Sequence, residues 1–158
     1  MIKILENVRY RIEIENFSFG PIPREQLIKN FKDGRSFGLI SEYILPIISG
    51  GKIVKSATNK SYDFRQKGIK IEQRTLTKGG LNLTPSCQIG SGRVYDLMKF
   101  KDKLDSIDWV FIIDNTKFPT LEAIFVKASR IDIEQHRYRY ASAREKFFNC
   151  KKEIIIEI

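Results

Sequence analysis

The chain has 158 residues, 42% of them apolar and 30% charged, a length and balance suited to one folded domain and not to a disordered or multidomain chain. Its two cysteines, Cys87 and Cys150, stand outside any CxxC pair, which argues against a disulfide framework or a zinc site and for a reducing, cytoplasmic setting. The formal net charge of +9 favours anionic partners, and a membrane span is excluded because the most apolar stretch, Tyr43 to Ser49, is far too short to cross a bilayer.

In chain order, Val8 to Ile14 (VRYRIEI) alternates with period two and predicts a strand. The run from Phe19 to Pro23 is a loop, and Pro23 opens a helix through Phe31, which Asp33-Gly34 stops. Ser36 caps a second helix with Phe37, Ile40, Tyr43, Ile44 and Ile47 on one face, ended by Gly50-Gly51. Lys52 to Val54 reads as a short strand. Ser61 to Phe64 and Ile69 to Thr77 form a hairpin through a tight Gln66-Lys67-Gly68 turn. Lys78 to Gly92 is polar and glycine-rich, hence a loop, and Arg93 to Leu104 is helical. Trp109 to Ile113 (WVFII) is the continuous apolar run of a strand buried on both faces, and Leu121 to Ala128 is its neighbour. A charged helix over Ile133 to Asn149 and a terminal strand over Glu153 to Ile158 complete the order. The fold class is α/β, one domain over residues 1–158 with a mixed central sheet flanked by helices.

The basic excess is concentrated. Between Gly51 and Lys103, twelve Lys and Arg face four carboxylates, a net +8 within one third of the chain. Such a patch points to nucleic acid. Within it, Asp63 and Glu72 fall on adjacent strands of the predicted hairpin, and alternation sends Lys70, Glu72 and Arg74 to one face. Two carboxylates among cations suit Mg²⁺, which takes one or two carboxylates together with water and phosphate. The same pattern also describes an ordinary solvated hairpin face whose charges satisfy one another.

An aspartate ahead of a turn, then an apolar-flanked Glu-x-Arg (Ile71-Glu72-Gln73-Arg74), then Thr75-Leu76-Thr77, resembles the PD-(D/E)xK nuclease superfamily, to which type II restriction endonucleases belong. The resemblance spans Ser36 to Arg130 and includes the WVFII and LEAIFVKA strands. It implies a restriction-endonuclease-like fold and Mg²⁺-dependent hydrolysis of double-stranded DNA. It also implies Asp63 and Glu72 as metal ligands, with Gln73 adding an amide oxygen if a local twist allows. Glu42 matches a position where some members carry an extra acid. Two departures are present: no proline precedes Asp63, and the motif lysine is Arg74. Arginine stays protonated, so Arg74 can clamp phosphate but cannot serve as a base. Lys70 takes part of the lysine's role, or the chain has kept the fold and lost cleavage.

In the polar loop, Lys78, Asn82, Thr84, Ser86, Gln88, Ser91 and Arg93 are the residue types that meet base edges and phosphates; an ordinary surface loop has the same composition. His136, the only histidine, sits on a predicted surface helix without a catalytic partner. Cleavage of both strands of a symmetric site implies a homodimer; the Glu153 to Ile158 strand either offers one contact for it or completes the sheet of its own subunit. The alternative to an enzyme is a non-catalytic nucleic-acid-binding module on the same fold, or an RNA-binding or inhibitory protein with a generic basic face.

Overall fold

Strands that are apolar at every position bury both faces, and Trp109 to Ile113 does so at the centre of this molecule. The computed structural model of the chain describes residues 1–18, 20–56, 61–85, 88 and 94–158, with the backbone alone at 34, 35 and 39. Among these, seven strands form one mixed sheet: β1 (Val8–Glu13), β2 (Val54–Lys55), β3 (Phe64–Gln66), β4 (Ile69–Leu76), β6 (Trp109–Asp114), β7 (Thr120–Lys127) and β9 (Lys152–Glu157), in the order β2-β3-β4-β6-β7-β1-β9. Strands β4 and β6 run parallel, as do β1 and β9; the other neighbours are antiparallel. Two further short strands, β5 (Leu81–Asn82) and β8 (Arg137–Tyr138), pair with each other outside the sheet.

Helices α1 (Arg24–Phe31) and α2 (Gly34–Ile48) accompany one core; α3 (Leu97–Asp105) and α4 (Tyr140–Phe148) accompany the other. Alternation divides β6 between the two cores. Phe111 and Ile113 join Tyr10, Phe37, Leu45, Phe64 and Ile71 on the α2 side. Val110 and Ile112 join Leu76, Phe100, Leu104, Phe147 and Phe148 on the α3–α4 side. At the far end of β6, Asp114 accepts hydrogen bonds from Thr116, Tyr140 and Arg144, and Arg144 also pairs with Glu122 of β7. That network fastens α4 to the sheet. No helix among the described residues is long and apolar enough to cross a membrane.

The α/β class, the mixed central sheet and the strands at both ends agree with the sequence pattern. Several elements differ. The first strand of the hairpin is Phe64–Gln66 and not Ser61–Phe64, so Asp63 precedes it, and α2 begins at Gly34, ahead of the expected cap Ser36. On α2 the buried stripe is Phe37, Ser41, Ile44, Leu45 and Ile48, while Tyr43 and Ile47 are 62% and 61% exposed. The apolar periodicity was compatible with two overlapping stripes, and the sheet selects one of them. Pro46 lies inside the helix, and the helix continues through it to Ile48. Part of the polar loop is structured: Thr77 and Gly80 bridge, and β5 follows. Gly80, at φ +108, is pressed so close to Tyr138 that a Cβ would lie 2.2 Å from its carbonyl oxygen. The charged helix predicted from Ile133 begins only at Tyr140, because residues 137–138 are taken by β8. Helix α3 likewise starts later than predicted, at Leu97, where the Asp96 side chain accepts from the Lys99 amide.

Candidate functional site

The β3–β4 hairpin turns through Lys67 and Gly68, both at positive φ, the conformation of a two-residue turn matched to strand twist. That turn fixes the register and brings Asp63, just ahead of β3, beside the middle of β4. The Asp63 amide donates to the Ile71 carbonyl at 3.0 Å. Its carboxylate accepts from the Gln73 amide at 2.8 Å, in place of the main-chain partner that β3 would otherwise supply. Burial pushes the Asp63 carboxyl above its usual range, and the nearby charge of Glu72 adds to the rise. Asp63 and Glu72 both line one open cleft of about 890 Å³ at this end of the sheet.

Glu72 is buried among cations. Its Oε1 lies 2.7 Å from Arg74 Nη2 and its Oε2 lies 2.6 Å from Lys103 Nζ. Arg74 is two residues along β4 and therefore on the same face; its Nη1 also donates to the Gln73 carbonyl at 2.9 Å. Lys103 arrives from α3, whose Phe100 and Leu104 anchor the helix to the sheet. Its ammonium also donates to the Ser61 carbonyl.

Gln73 points from the opposite face of β4 towards α2, and the residue also lines the cleft. The amide orientation is fixed by logic of donors: Ser41 Oγ donates to the Gly38 carbonyl and so accepts from Gln73 Nε2. Among the described residues nothing partners the buried Gln73 Oε1, in a residue only 8% exposed. Glu42 of α2 lines the cleft as well and is ion-paired with Lys55 of β2.

The remaining sequence candidates fall in several places. Lys70 shares the face of Glu72 and Arg74 but is exposed, its Nζ 6.0 Å from the Tyr62 ring centroid, and it does not line the cleft. Lys78 is exposed at the Thr77–Gly80 turn. Asn82 is half-buried and its side chain accepts from the Thr84 amide at 2.9 Å. Thr84 and Gln88 are buried and do not face outwards; Gln88 Oε1 accepts from the Asp96 amide at 2.9 Å and so braces the chain ahead of α3. Ser86, Ser91 and Arg93 lie outside the described residues. His136 is not on a helix; it precedes β8 and stacks on Tyr95 at 3.7 Å, away from the cleft.

Three charged cleft residues escape a reading by motif: Lys99, Asp102 and Lys103, all on α3. Only the spacing of Lys103 from Phe100 placed it on the flank of the buried face, and helical phase alone does not say which strand that flank meets.

No family model matches this chain, and neither a curated protein nor a solved structure matches it. The chemistry of the cleft therefore has to be judged on its own donors. Among the described residues no three His, Cys, Asp or Glu side chains converge. The oxygen set present is Asp63 and Glu72 carboxylates, the Gln73 carbonyl and the unpartnered Gln73 Oε1. All are hard oxygen donors, and Mg²⁺ needs only one or two carboxylates beside water and phosphate. An orphaned buried amide oxygen costs on the order of 1–3 kcal/mol unless something partners it, and a cation in the cleft would do so. The residues fit such an ion.

Proposed function

We propose that the chain is a Mg²⁺-dependent endonuclease that hydrolyses phosphodiester bonds of double-stranded DNA in this cleft, on a restriction-endonuclease-like fold. The observation that carries the reading is the meeting of Asp63, Glu72 and the unpartnered Gln73 oxygen with Arg74 and Lys103 at one open site. Charge supports it too: nucleic acid is drawn to basic protein, and the stretch of chain that supplies Asp63, Glu72, Arg74 and Lys103 carries the net +8.

Asp63, Glu72 and Gln73 Oε1 would hold the ion. When bound, Mg²⁺ supplies a Lewis acid for the phosphoryl oxygen and a more acidic water. Arg74 binds and orients phosphate through its planar fork and stays charged throughout, so its contribution is electrostatic. Lys103 adds a second positive charge from the opposite wall, where charge builds on the phosphate oxygens. The main-chain amide of Gln73 holds the Asp63 carboxylate in its orientation.

A second reading is a non-catalytic DNA-binding module. It is favoured by one observation: both Glu72 oxygens are already occupied by protein cations. Incubation of the purified protein with mixed-sequence plasmid, with and without Mg²⁺, separates the two. Scission only with Mg²⁺ supports the endonuclease; salt-sensitive binding without scission supports the module.

A further inference from the structure

Three of the oxygens that could hold a metal ion in this cleft, both of Glu72 and the Gln73 carbonyl, already meet positive charge from the protein itself. The Arg74 guanidinium spans Glu72 Oε1 at 2.7 Å and the Gln73 carbonyl at 2.9 Å. The Lys103 ammonium takes Glu72 Oε2 at 2.6 Å. These are not loose surface contacts: the Arg74 and Lys103 side chains are 18% and 15% exposed.

We infer that Arg74 and Lys103 are resident counter-ions of Glu72 that a divalent cation must displace, and that nucleic-acid phosphate draws them off, so that cation and nucleic acid bind cooperatively. The inference rests on the cleft being the nuclease site proposed above. A divalent ion binds a carboxylate oxygen at about 2.0–2.1 Å. An ammonium or guanidinium held at hydrogen-bond distance from the same carboxylate then lies within a few ångströms of that ion, and charges on side chains this little exposed are poorly screened by solvent. Both cations have mobile side chains, and phosphate is the anion for which guanidinium and ammonium are suited. Each partner thus removes an obstacle to the other. Protein cations meet both Glu72 oxygens and the Gln73 carbonyl, whereas among the described residues the Asp63 carboxylate accepts only from a main-chain amide and Gln73 Oε1 has no partner, a donor set that is incomplete without a ligand. By linkage the effect is reciprocal and of the usual size for coupled sites, about 5- to 150-fold.

The test is a titration of the full chain with Mn²⁺, free ion being read by electron paramagnetic resonance, with and without a hydrolysis-resistant phosphorothioate duplex. The wild type is expected to bind Mn²⁺ at least about 5-fold more tightly with the duplex. Arg74→Ala without duplex is expected to gain affinity by a similar factor and to respond less to the duplex. Equal Mn²⁺ affinity with and without duplex overturns the inference, as does the absence of Mn²⁺ binding in every condition. The wild-type comparison stands alone should Arg74→Ala fail to fold. Mg²⁺-dependent plasmid cleavage, measured alongside, separates the two claims. Cleavage without coupling overturns the exchange alone, and coupling without cleavage supports the exchange while overturning the hydrolase reading.

Discussion

Neutralising either carboxylate of the cleft should change stability, and in opposite directions. Glu72 makes two contacts with enclosed cations, at 2.7 Å and 2.6 Å. A hydrogen bond to a charged group contributes roughly 1.5–3 kcal/mol. Glu72→Gln keeps the shape and one acceptor oxygen but removes the charge and turns an N–H donor towards a cation. The loss is about 3 kcal/mol, at the lower edge of what breaking a buried ion pair costs. For a chain of this size that is a fall in Tm of roughly 6–12 °C. Asp63→Asn should do the reverse. Burial and the Glu72 charge hold the Asp63 carboxyl above its usual range, against the opposing pull of the Gln73 amide, Arg74 and Lys103. A carboxyl raised in the folded state contributes stability below its unfolded pKa, near about 3.9, and that stability is lost as pH rises through the folded value. At pH 7 the ionised group is therefore a cost that Asn removes, while its carbonyl can still accept from the Gln73 amide. Thermal unfolding of the three proteins at pH 7 without divalent ions, repeated towards acid, is the assay. Asp63→Asn should melt above wild type at pH 7 and lose that advantage below about pH 4. Both variants melting lower by similar amounts would refute the electrostatic account of the cleft.

Three further outcomes follow from the same geometry. Arg74→Lys should keep measurable cleavage, while Arg74→Ala should lose about 100-fold or more, the scale of removing one preorganised charge-stabilising donor; equal rates for Arg74→Ala and wild type would mark the position as idle. Arg144→Ala should cost about 3 kcal/mol in urea unfolding, because it removes the cation shared by the buried Asp114 and the part-buried Glu122, leaving Glu122 with Lys117 at 3.5 Å. Burial alone would raise Glu122, but the hydrogen bond and charge of Arg144 outweigh it and hold the carboxyl below its usual range; this stability is present at neutral pH and lost as pH falls through the lowered value, so the variant should show a flatter acid limb. Sedimentation equilibrium at micromolar concentration should show a homodimer, since β9 ends the sheet with no strand among the described residues on its outer side and Ile155 is 56% exposed there; a strict monomer with and without duplex DNA would favour a nicking enzyme or a binding module.

How far the sequence could be read depended on how local each determinant was. The β3–β4 hairpin and the shared face of Glu72 and Arg74 follow from a two-residue turn and period-two alternation, both local, and both are present. The WVFII run announced a central strand because nothing but double-sided burial tolerates it. Lys103 was not legible, since its meeting with Glu72 joins residues 31 apart through the docking angle of α3. Lys70 looked equivalent to Arg74 by alternation, but alternation gives a face and not a position along it, and Lys70 lies beyond the cleft. Thr84 and Gln88 have the residue types of a recognition loop; their burial depends on β5 pairing with β8, a contact across more than fifty residues that composition does not encode. On α2, two apolar stripes fit the helical period, and only the position of the sheet decides between Ile44 and Ile47.

The central claim is hydrolysis of DNA at the Asp63–Glu72 cleft with Mg²⁺, and Asp63→Asn tests it most directly because that variant should be at least as well folded as the wild type. The measurement is the rate of plasmid scission by each protein in Mg²⁺ and in chelator. The wild type should cut only with Mg²⁺, and Asp63→Asn should cut about 100-fold more slowly or not at all while still binding the plasmid, in line with the loss of one charge that the transition state depends on. A wild type that binds plasmid without cutting it, or an Asp63→Asn protein that cuts as fast, would contradict the account.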